Sequence, residues 1–228
     1  MMLYWMLTLP GLLLALLASW LTRSTFNTFA RVRASSGLTG AEAAQRLLES
    51  VGVDGVTIRV TNGFLSDHYD PRNRTLNLSP AVYRSPALAA IGVACHEAGH
   101  AIQHAKLYGP LKLRTDLVPA QMIGSQLAYP LFFIGLLMHF PPLIKVGLAL
   151  FSMAVVFALI TLPVEWDASA RAKRLMVSAG IVTAQEQRSA ARVLNAAFLT
   201  YLAGAVMAVM QLLALLIQSG LLGGRSRD

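Results

Sequence analysis

The chain has 228 residues and a formal charge of +8; 55% of its residues are hydrophobic and only 13% are charged. A soluble domain of ordinary composition carries about 25% charged residues, so this balance argues against a simple soluble globule and for contact with lipid. The Lys and Arg residues are scattered rather than gathered with aromatics, which argues against a nucleic-acid partner, and the single Cys95 excludes an intrachain disulfide or a thiolate-rich zinc site.

Met1 to Leu21 is apolar and uncharged, and Arg23 follows it. The segment has no basic leader and no obvious small-residue cleavage site, and it reaches the roughly 20 residues that span a bilayer, so residues 1–22 read as a retained transmembrane helix. Residues 23–116 turn globular in composition and are expected to form a small α+β domain. Within it, "TGAE" (Thr39 to Glu42) has capping-box spacing before a helix that runs to about Ser50, with Leu47, Leu48 and Val51 as its apolar face. "VTIRV" alternates like a strand, and "LSDHYDPRNRTLNLS" reads as two short strands around a turn at Asp70 to Asn73. Ser79 and Ser85 each precede a proline, the order expected of a cap followed by the first helical residue, and the second pair opens a helix over 86–107 stopped by Gly109 and Pro110.

Three apolar stretches follow, at about 118–140, 143–164 and 193–222. The first two are joined by "HFPP" and make a transmembrane hairpin over 117–164; residues 165–192 form a polar helical segment, and 193–222 the fourth span. Arg23, Arg31, Arg33, Lys106, Lys112, Arg114, Arg171, Lys173, Arg174, Arg188 and Arg192 fall on one side of such a four-span arrangement, against Lys145, Arg225 and Arg227 on the other. The excess marks the cytoplasmic side, which puts the globular part and residues 165–192 in the cytoplasm of a multi-pass inner-membrane protein.

The chemistry-bearing stretch is "VACHEAGHAIQHA". His96 and His100 are four residues apart, so on a helix they differ by only about 40° and about 6 Å along the axis, and both imidazoles can reach one ion. Glu97 is turned about 100° from His96, placed to reach a metal-bound water without being a ligand itself. Small and apolar neighbours (Val93, Ala94, Ala98, Gly99, Ala101, Ile102) desolvate these groups, and metal coordination satisfies all of them where burial alone is costly.

A tetrahedral catalytic zinc wants a third protein ligand and an open position. The pattern that supplies a third histidine after a glycine does not apply, because Gln103 and Lys106 occupy those positions. His104 lies about 12 Å along the helix from His96, and His68 and His139 are isolated. Glu165 and Asp167, in "LPVEWDASARAKR", return to the same membrane side after two crossings; we expect Glu165 as the third ligand and Asp167 as a hydrogen-bond acceptor for a ligating histidine or as an alternative ligand. Arg192, Asn195 and Tyr201 are candidate oxyanion stabilisers. The strand Arg74, Thr75, Leu76, Asn77 and Leu78 is a candidate edge for an extended substrate.

"NLSPAVY…ALAAIGVACHEAGHAIQHA", "LPVEWDASARA" and "AARVLNAAFLTYLAGAV" together resemble the YugP-like neutral zinc metallopeptidases of bacterial membranes, over most of the chain from about Asp67. The likeness to HtpX-like and CAAX-prenyl proteases is more distant; their E-x-x-x-D ligand motif is broken here by Ser169, which leaves the role of Asp167 open. The resemblance implies a mostly α integral membrane protein with four transmembrane helices and a small zincin-like α+β cytoplasmic domain. It implies one Zn2+ per chain on His96, His100 and Glu165, Glu97 as the proton-transfer residue, and hydrolysis of membrane-associated peptide or protein substrates. A regulatory membrane partner or an oligomer would fit such a protein. Two other readings use the same residues: a site-two-type intramembrane protease, against which stands the lack of an L-D-G ligand segment, and a non-catalytic metal-binding scaffold, which would need no base at Glu97. Two imidazoles and a carboxylate also accommodate iron or cobalt.

Overall fold

The computed structural model describes residues 2–63 and 66–222. In chain order its elements are α1 (Met2–Phe29), α2 (Gly40–Glu49), β1 (Thr57–Val60), β2 (His68–Asp70), β3 (Thr75–Leu78), α3 (Pro80–Tyr83), α4 (Leu88–Ala105), α5 (Gly109–Leu137), α6 (Pro141–Ser178) and α7 (Ala184–Gln218). It is a mostly helical membrane protein with a small α+β part. α1, α5, α6 and α7 are each long and apolar enough to cross a bilayer. Arg225 and Arg227, which enter the orientation argument, lie outside the described residues, as do Met1 and Leu65.

The chain packs as two compact units. One comprises Met1–Ala18, Leu113–Leu162 and Thr200–Asp228. Its core joins Ala128, Phe132, Leu148, Phe151, Val155 and Leu215. α5 and α6 approach closely at Gly147, where a Cβ would fall 2.7 Å from the Phe132 backbone nitrogen. Leu13, Leu16, Leu17, Ile123 and Leu137 are exposed, an outer surface suited to lipid rather than water.

The other unit comprises Ser19–Lys112 and Pro163–Leu199. α2 starts where its capping box requires: Thr39 Oγ1 accepts from the Glu42 amide at 3.3 Å, and the Glu42 carboxylate accepts from the Thr39 amide at 2.8 Å. Ala43, Ala44, Leu47 and Leu48 of α2 share a core with Leu88, Ile91, Ala94, Cys95, Ala98 and Ile102 of α4, and with Ala172, Met176, Val193 and Leu194 from α6 and α7.

Several expectations are corrected here. The motif helix begins at Leu88 rather than Pro86, because residues 86–88 are held in an extended pairing: Pro86 O accepts from Ala34 N at 2.9 Å, and Leu88 N donates to Val32 O at 2.8 Å. Ser85 Oγ accepts from the Ala87 amide, short of the helix. The sheet order is β1-β3-β2, so the strand Arg74 to Leu78 is not a free edge; Thr75–Leu78 pairs in parallel with β1 and antiparallel with β2. The edge beside α4 belongs to β2. Beyond the apolar run that ends at Val164, α6 continues unbroken to Ser178 into the segment expected to be helical, since Ala168, Ala170, Arg171, Ala172 and Lys173 are strong helix formers. A turn at Gly180, with φ of 65°, and the Thr183–Glu186 capping pair then start α7.

Candidate metal centre

α4 carries His96, Glu97 and His100, and its small residues let α6 come close. At Gly99 a Cβ would stand 2.6 Å from the Ala168 carbonyl oxygen of α6. Only glycine tolerates that approach of one backbone to another. Ala168 is one turn beyond Glu165, so the contact sets Glu165 opposite the two histidines. His96 Nε2 lies 3.1 Å and His100 Nε2 3.6 Å from Glu165 Oε2. One ligand atom from each of the three residues falls within 4.8 Å of the others. Two imidazole nitrogens and one carboxylate oxygen at this separation are a donor set that fits zinc, and the three residues are placed to bind a metal ion. Burial disfavours a charge on His100, but the Glu165 carboxylate beside it, the charge of Glu97 and the Gln103 side chain outweigh it and raise its pKa.

The groups around the three donors are as ordered as the donors. His100 Nδ1 lies 2.9 Å from Gln103 Oε1, and Gln103 is fully buried. Its Nε2 donates to Val164 O and to Asp167 Oδ2, each at 2.8 Å. Asp167 therefore does not touch a ligating histidine, contrary to expectation; it accepts from Gln103 and from Arg171 Nε. His96 Nδ1 is met by Ser169 Oγ at 3.1 Å. Both Gln103 and Ser169 escaped the sequence reading. The signal was available: Gln103 is a polar residue one turn past His100 among Ala101, Ile102 and Ala105, and Ser169 is one turn past Glu165.

Glu97 stands apart from this cluster. Its Oε2 accepts from the Tyr69 amide of β2 at 3.0 Å. The Tyr69 hydroxyl lies 2.9 Å from His104 Nδ1, which places His104 against the sheet. Burial pushes the Cys95 thiol up to about 12, so it is neither a thiolate ligand nor a nucleophile. Arg192 and Asn195 line an apolar groove with Leu21, Phe29, Trp166 and Phe198, and Asn195 Oδ1 accepts from Lys173 Nζ at 3.0 Å. Tyr201 is an exposed residue of α7.

Comparison with known proteins places these residues in context. Residues 4–220 match the profile of a family described as "putative neutral zinc metallopeptidase". The "putative membrane protease YugP" of Bacillus subtilis (strain 168) is 44% identical over 212 residues, covering 93% of this chain and 94% of that protein. No solved structure matches the chain. The chain belongs to the neutral zinc metallopeptidase family.

Proposed function

We propose that this protein is a membrane-embedded zinc endopeptidase, with zinc held by His96, His100 and Glu165 and proton transfer carried by Glu97 at the cytoplasmic membrane face. The observation that carries the reading is the convergence of His96 and His100 with Glu165, 69 positions beyond His96 in sequence, onto one largely buried point, with the remaining carboxylate of the motif on the same helix. When bound, zinc supplies Lewis acidity, polarising the scissile carbonyl and making water acidic enough to lose a proton near neutral pH.

This chain's own groups do the rest. The Tyr69 amide fixes Glu97 through Oε2, which leaves Oε1 to take a proton from the attacking water. The same oxygen then returns that proton to the departing amine. The burial of Glu165 and His100 excludes bulk water from the ligand side of the site. β2, the outer strand beside Glu97, takes the place of the strand expected from sequence as the one nearest the site, with its Tyr69 amide holding Glu97. The cytoplasmic face follows from the Lys and Arg distribution, and membrane-associated segments are the substrates such a site would meet first.

Zinc content and proteolysis of an unfolded, fluorophore-labelled protein by detergent-purified enzyme test the reading. Glu97→Gln is expected to keep one zinc per chain and lose on the order of 10²–10⁴ in turnover. Glu165→Ala is expected to lose the zinc. Full occupancy in Glu165→Ala would remove the ligand assignment, and a zinc-loaded wild type no more active than Glu97→Gln would remove the enzyme.

A further inference from the structure

We infer that Gln103 is a positioning residue that commits His100 to bind metal through Nε2 and fastens α4 to α6 immediately before the third ligand; this rests on the zinc reading above. A glutamine amide has one acceptor end and one donor end, and its neighbours decide which way it faces. Here the donor end has two acceptors, Val164 O and Asp167 Oδ2, both at 2.8 Å, and neither can accept from an oxygen. The flipped amide would set Oε1, on a fully buried side chain, against a carbonyl and a carboxylate. Oε1 must therefore face His100 Nδ1, at 2.9 Å. An amide oxygen cannot donate, so Nδ1 carries the hydrogen and the neutral ring's free electron pair sits on Nε2, the atom turned toward Glu165.

The second function follows from where the donor end lands. Val164 immediately precedes Glu165, so one Gln103 hydrogen bond fixes the ring of one ligand and another fixes the backbone that delivers the next. The Arg171 guanidinium, bonded to Asp167 Oδ2 at 2.6 Å, holds the far end of this chain of contacts. The support on the other histidine differs in kind. Ser169 Oγ, 3.1 Å from His96 Nδ1, can donate or accept by rotating its hydroxyl, so it tolerates either tautomer and selects neither.

Three measurements on the full-length protein in detergent test this. Gln103→Met keeps the length of the side chain and removes both ends of its hydrogen bonding. It is expected to weaken zinc about 10–100-fold in a chelator competition and to alter the visible spectrum of the cobalt(II)-substituted protein. Ser169→Ala is expected to change zinc affinity by much less than Gln103→Met. In metal-free wild type, at a pH where the ring is neutral, histidine 15N shifts are expected to give His100 as the Nδ1–H tautomer. That experiment needs no variant to fold. A folded Gln103→Met with wild-type zinc affinity and cobalt spectrum would overturn the inference, as would an Nε2–H tautomer at His100 or a larger loss in Ser169→Ala than in Gln103→Met. A wild type that takes up no zinc would remove the parent reading alone, and the tautomer would still decide this one.

Discussion

α4 is walled on one side by α6 and on the other by the edge of the sheet, and the two walls are built differently. Against α6 the backbones approach so closely that Gly99 has no room for a Cβ, and the polar groups there, Gln103, Glu165 and Ser169, are buried. Against the sheet, Glu97 rests on one backbone amide, that of Tyr69, and His104 on one hydroxyl. The stiff wall carries the metal ligands and the lighter one carries the proton-transfer group. A metal site needs its donors fixed to fractions of an ångström, whereas a residue that takes and returns a proton must also leave space beside it for water and substrate.

The largest effect should come from breaking the stiff wall. Gly99→Ala puts a methyl group 2.6 Å from the Ala168 carbonyl oxygen, and neither partner is a flexible side-chain end. We expect α4 and α6 to be forced apart, at a cost of about 1–3 kcal/mol, with zinc stoichiometry falling well below that of wild type. Full zinc retention in a folded Gly99→Ala would mean that the helix contact does not set the position of Glu165. Tyr69→Phe probes the lighter wall: the amide on Glu97 stays and the hydroxyl contact to His104 goes. The expected result is unchanged zinc content and a loss of about 1 kcal/mol in a denaturation experiment; a loss of zinc would show that the two walls are not separate.

The smallest effect is one of pH. At the turn between β2 and β3 the Arg72 amide holds the Asp70 carboxyl below the usual aspartate range, with burial opposing and the Asn73 side-chain amide assisting. A carboxyl whose folded pKa is depressed contributes stability above its unfolded value of about 3.9 and loses that contribution as pH falls through the lower folded value. Asp70→Asn should therefore be less stable than wild type at neutral pH by under about 1 kcal/mol. The gap should close as the pH is lowered below about 4, and urea titrations at two pH values would measure it.

Much of the site was legible in the sequence because helical periodicity is local. The spacing of His96 and His100, the neighbouring Glu97 and the small residues around them all lie within one helix. Glu165 was reachable by counting membrane crossings, and the structure brings it beside the histidines. Asp167 and the strand at Arg74 to Leu78 were misread for a common reason: which of two nearby carboxylates turns inward, and which of three strands lies in the middle, are decided by partners distant in the chain. The start of α4 moved for the same reason, since the pairing of Arg33 with Ala87 overrode the local serine and proline signal.

By itself, then, the sequence determined that the protein is a helical membrane protein with a metal-ready pair of histidines, because composition and a 3.6-residue period act through neighbours along the chain. Only the tertiary structure decided how that pair is completed. The approach of α6 at Gly99, the amide of Gln103 reaching Val164, and the sheet edge presented to Glu97 each join residues that no local pattern links. Donors must meet within a few ångströms, and helix packing and buried hydrogen bonds are what fix distances on that scale.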